Sequence, residues 1–210
     1  MRSEALRRLG SAVNHESVLV RFVSFWALIA TVFTIAWVGS YLWLPQGLLR
    51  GGHPVAGLEF AGSIPREFLT LFGWNVAVSL VAIGANTFRS VETPLSYLVL
   101  GVQSIQYGIV WGTGSLAVGS GARIVPSVTV ILDRSGQLEI TAIVAIVVAT
   151  REVMLWHQAS GPRWREPFDR VRSPRDWSFG RADLILLGIG YLLLAAAAYW
   201  EAVAIAGLVG

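Results

Sequence analysis

The chain has 210 residues, 54% of them hydrophobic and only 14% charged, with a mean hydropathy of +0.61. That balance excludes an ordinary soluble domain and describes an all-α integral membrane protein. Without cysteine, disulfides, thiolate metal sites and thiol nucleophiles are excluded, and the net charge of +3, carried entirely by arginine on the basic side, is concentrated in two stretches.

The first basic stretch is the amino terminus, residues 1–21, where Arg2, Arg7, Arg8 and Arg21 face only Glu4 and Glu16. A charge-free run over 22–44 follows, long enough to cross a hydrocarbon core of about 30 Å. Tyr41, Trp43 and Pro45 at its far end fit an aromatic belt and not a cleavage site, so an uncleaved anchor with a cytoplasmic amino terminus is expected. The proline- and glycine-rich stretch from Pro45 to Glu67 then reads as an extracytoplasmic loop.

A second span is expected over 68–88, with Asn75, Ser79 and Asn86 on one helical face turned towards protein. A third is expected over 95–119. Along it Gly101, Ser104, Gly108, Gly112, Ser115 and Gly119 form a stripe of small residues, including a GxxxG, against which another helix can press. Gln103, Gln106 and Tyr107 lie beside the stripe as polar groups of the bundle interior, available for packing or for substrate contact.

Residues 124–132 are too few to cross as a helix and contain Pro126, so a re-entrant half-helix is expected there. Asp133, Arg134 and Glu139 follow, and a fourth span is expected over 136–156 with Glu139 in its first turn. A carboxylate suits that position beside unpaired amides, with Arg123 or Arg134 as its partner. The second basic region, 157–183, interleaves arginines with Trp164, Phe168, Trp177 and Phe179. In a membrane protein this suits headgroups or a cytoplasmic protein partner, and no nucleic acid is expected.

The fifth span is expected over 184–206, bringing the carboxyl terminus to the extracytoplasmic side of the plasma membrane. Glu201 would lie about 27 Å along it, at a depth similar to that of Glu139. The two carboxyls are therefore expected to share one site, with Asp133 and Tyr107 as further acid–base candidates and with Asn75, Gln103, Gln106, Arg123 and Arg134 in contact with substrate or partner. His15, His53 and His157 do not stand at metal-ligand spacing, and neither a metal nor another cofactor is expected.

Taken in order, the Asn75 helix, the QSIQYG of Gln103 to Gly108, the RSGQLE of Arg134 to Glu139 and the AAAAYWEA around Glu201 resemble the stage II sporulation protein M family over about residues 68–207. Gly108, Gly136, Glu139 and Glu201 match that family's pattern, whereas Gln103, Ser104, Arg134 and Ser135 stand where it has Asn, Gly, Pro and His. The resemblance implies a multi-span subunit of a membrane complex, acting with a second membrane protein on a peptide or cell-envelope substrate. Two other classes fit the residues: a cofactor-independent intramembrane enzyme, such as a peptide epimerase of linaridin-type maturation using Glu or Asp as acid and base, and a transporter or bacteriocin-immunity permease.

Overall fold

The computed structural model describes residues 4–50, 61–115, 122–132, 134–159 and 166–209. Its elements run α1 (Glu4–Val13), α2 (Val18–Trp43), α3 (Ile64–Asn86), β1 (Phe88–Ser90), β2 (Thr93–Pro94), α4 (Leu95–Thr113), α5 (Val128–Leu132), α6 (Gly136–Ala149), β3 (Trp156–Gln158), β4 (Asp169–Arg170) and α7 (Arg181–Val209). Three of these helices, α2, α3 and the Arg181–Gly207 part of α7, are long and apolar enough to cross a membrane. The protein is thus helical and membrane-embedded.

The helices at the other two expected spans end early. α4 stops at Thr113 because Gly114 adopts a left-handed φ of 65°. The amide of Ser115 donates to the Val110 carbonyl and that of Gly114 to Trp111, a Schellman closure that glycine makes without steric cost. α6 has 14 residues, about 21 Å of rise, and gives way after Thr150 to a single 3-10 turn at Arg151–Val153. Beyond that turn Trp156–Gln158 joins a small sheet, so the chain is not purely α-helical.

The chain divides into two compact units. The first comprises residues 1–28, 77–100 and 141–192. It holds the four-stranded sheet, ordered β2-β1-β3-β4, in which β1 and β3 run parallel and the outer pairs antiparallel. All residues from Ala142 to Ala149 are buried in it, as expected of a helix that is apolar on every side. α7 approaches this stretch at Gly190, where a Cβ would lie 2.7 Å from Ile146 and 3.1 Å from the Ala142 carbonyl.

Polar groups are also sealed into this unit. Asn86, fully buried, donates to the Val147 carbonyl and to Thr150 Oγ1, both at 2.9 Å, and accepts from the Ser96 hydroxyl. Arg21, also buried, reaches the carbonyls of His15 and Val148 and Asp183 Oδ1, the last at 3.4 Å.

The second unit comprises residues 29–76, 101–140 and 193–210. Its core is Phe33, Trp37, Val110, Trp111 and Ile124, with Trp111 edge-on to both Phe33 and Trp37. α4 lies directly against α2 at the GxxxG. A Cβ on Gly108 would stand 2.7 Å from Ala36 Cβ, and one on Gly112 would stand 2.6 Å from the Trp37 carbonyl. Only glycine permits that spacing. Trp37 Nε1 donates to the Ile124 carbonyl at 2.8 Å and so fixes the non-helical segment leading into the five-residue α5.

Candidate functional site

Several polar side chains of the second unit gather around Glu139. Glu139 sits in the first turn of α6, where the amides of Leu138 and Glu139 donate to the Ser135 carbonyl. That turn can approach α4 because residue 136 is glycine: a Cβ there would lie 2.9 Å from the Trp111 ring. Asn75 of α3 donates its Nδ2 to Glu139 Oε1 at 2.8 Å. The Glu201 carboxyl of α7 lies beside the Glu139 carboxyl.

Tyr107 and Gln103, one turn apart on α4, lie beside the two carboxyls. A third carboxyl, Glu67 in the first turn of α3, lies near Glu201, is itself buried, and accepts the Ala61 amide at 2.8 Å. Five expected site residues, Asn75, Gln103, Tyr107, Glu139 and Glu201, therefore come together from four helices. Glu67 is readable in the sequence only as the edge of a span. Its signal is an acid in the first turn of an apolar helix.

The remaining candidates lie elsewhere. Arg123 does not pair with Glu139; its two terminal nitrogens donate to the Tyr41 and Leu44 carbonyls at 2.6 Å each. α2 has no basic residue in its own last turn, and Arg123 supplies from a distant segment the cation and donors that those orphan carbonyls need. Arg134 is exposed, with its guanidinium 5.6 Å from the Trp111 ring centre. Gln106 is exposed on α4. Asp133 and Gly119 lie outside the described residues.

Of the small-residue stripe, Gly108 and Gly112 make the close helix contact. Ser104 is buried, Gly101 has open space where a Cβ would project, and Ser115 lies past the end of α4, bonded to the Thr113 hydroxyl and to the Leu49 amide. The stripe is thus a two-glycine contact, because the Schellman turn ends the helix before Ser115. Among the described residues no three histidine, aspartate or glutamate side chains are grouped to hold a metal ion. No protein-family model, curated protein or solved structure matches the chain.

Proposed function

We propose that this protein is a five-span subunit of a plasma-membrane complex that binds or matures a peptide or cell-envelope substrate, as its resemblance to the stage II sporulation protein M family implies. Its amino terminus is cytoplasmic, its basic 157–183 loop faces the same side, and Glu139 with Glu201 forms its working centre. The observation that carries this reading is the placement of two carboxyls side by side on apolar helices, one of them accepting from Asn75 at 2.8 Å. Carboxyls in such surroundings are expensive, and they are retained where a protein moves a proton or binds a group that complements them. The GxxxG contact supports a rigid frame around the pair, because it fixes α4, which carries Tyr107 and Gln103.

The competing epimerase chemistry needs an acid and a base on opposite faces of a substrate Cα. Glu139 and Glu201 stand beside each other and not on opposite sides of an observed cavity, which favours a proton-holding or partner-binding centre. Affinity capture of the tagged protein from native membranes tests the subunit reading. A stoichiometric membrane protein partner, lost on Glu139→Gln or Glu201→Gln, is expected; a chain that purifies alone, together with α-deuteration of a copurified peptide in deuterated water, would instead establish the enzyme.

A further inference from the structure

A second polar feature lies in the first unit, apart from the carboxyl pair. An open groove of about 520 Å³ is lined by Arg89, Arg151, Arg172 and His157 on one hand and by Glu16 and Glu92 on the other. Its cations are incompletely satisfied. Arg89 and Arg172 share Glu152 at 3.9 and 3.5 Å, while no ion pair among the described residues includes Arg151. The Nε atoms of Arg89 and Arg151 are both buried without an acceptor. Burial and then the neighbouring Arg151 charge lower the Arg89 pKa from its ordinary value, so an added negative charge would relieve both arginines. Glu16 and Glu92 are exposed and likewise enter no ion pair among the described residues.

The groove is rigidly built. Val91, which lines it, has a φ of 57°, a conformation that a β-branched residue rarely adopts. Two contacts with β3 hold it there: Val91 N to the Gln158 carbonyl, and the Val91 carbonyl to His157 Nε2, each at 2.7 Å. Arg89 and Arg151 stand just past the last residues of α3 and α6, Asn86 and Ala149. At the end of a membrane helix that is the level of lipid headgroups.

We propose that this groove seats the headgroup of an amine-bearing phospholipid of the phosphatidylethanolamine type, with its phosphodiester against Arg151 and Arg89 and its ammonium towards Glu16 and Glu92. Guanidinium matches phosphate geometry, and the two carboxylates distinguish this headgroup from a purely anionic one. Val91, Met154 and Val171 supply apolar lining for the glycerol end.

Native mass spectrometry of the delipidated protein in detergent, with equal amounts of phosphatidylethanolamine, phosphatidylglycerol, phosphatidylcholine and soluble phosphoethanolamine, tests this. Phosphatidylethanolamine is expected to be retained preferentially, Arg151→Gln to weaken its retention about tenfold, and Glu92→Gln to abolish the preference over phosphatidylglycerol. Glu92 is exposed, so its variant keeps the fold and decides the matter if Arg151→Gln does not fold. Unchanged lipid preference in Glu92→Gln, unchanged retention in folded Arg151→Gln, or tighter binding of soluble phosphoethanolamine than of the lipid would overturn the assignment.

Discussion

Asn75 and Glu139 stand 64 positions apart in sequence, yet the amide of the first donates to the carboxyl of the second at 2.8 Å. The same carboxyl lies beside that of Glu201, so one acidic group brings α3, α6 and α7 together. Removing the amide isolates its contribution. Asn75→Leu is expected to lower stability in detergent by about 1 kcal/mol, the usual scale for such bonds between membrane helices. Asn75→Asp should cost more, because it replaces a donor with a further acidic group facing Glu139. Thermal unfolding of both variants checks the order, and equal losses would remove the role assigned to the amide.

Much of this site is legible in the sequence because depth and helical phase are simple functions of position. Rise per residue places Glu139 and Glu201 at one level, and the polar face of α3 points Asn75 inward. Helix ends are harder to read. Gly114 looks like one more small residue in an apolar run, and only its left-handed backbone, closed by Val110 and Ser115, shows that α4 stops there. Arg123 misleads for a similar reason. Its charge is attractive to any nearby acid, but the open carbonyls of Tyr41 and Leu44 lie 82 and 79 positions away and leave no local pattern. The β1–β3 pairing is equally non-local, since α4, α5 and α6 separate Phe88–Ser90 from Trp156–Gln158 along the chain.

The two ends of the small-residue stripe should respond oppositely to alanine. At Gly112 a Cβ would press on the Trp37 carbonyl and the Tyr41 amide at 2.6 and 2.7 Å, both backbone atoms that cannot move aside. Gly112→Ala is expected to destabilise by at least about 1–3 kcal/mol. At Gly101 an added Cβ would meet nothing within 4 Å, so Gly101→Ala should be neutral or stabilising by up to about 1 kcal/mol. Melting temperatures in one detergent compare them directly.

Arg123→Gln removes the charge from two carbonyl contacts at the end of α2. Charge-assisted bonds of this kind contribute up to about 1.5–3 kcal/mol each. Hydrogen exchange should accelerate in the last turn of α2 in that variant, while Asn86 and its buried partners keep their protection. Unchanged exchange over residues 38–44 would show that the cap is dispensable.

One pH effect belongs to the polar segment before α7. The Ser173 amide and then its hydroxyl donate to the Asp176 carboxylate, lowering its pKa from the ordinary 3.8. A depressed carboxylate stabilises the fold above its unfolded pKa, and that contribution disappears as acidification passes the folded value. Ser173→Ala should therefore raise the Asp176 pKa towards the ordinary value in a carboxyl-carbon titration by NMR, with little effect at neutral pH.

The central claim is that Glu139 and Glu201 act as one unit, and a double-mutant cycle tests it most directly. Stability and partner retention are measured for Glu139→Gln, Glu201→Gln and the double variant. A shared site predicts strong non-additivity, with the double variant little worse than either single one. Effects of the two substitutions that simply add, within about 0.5 kcal/mol, would contradict a shared site.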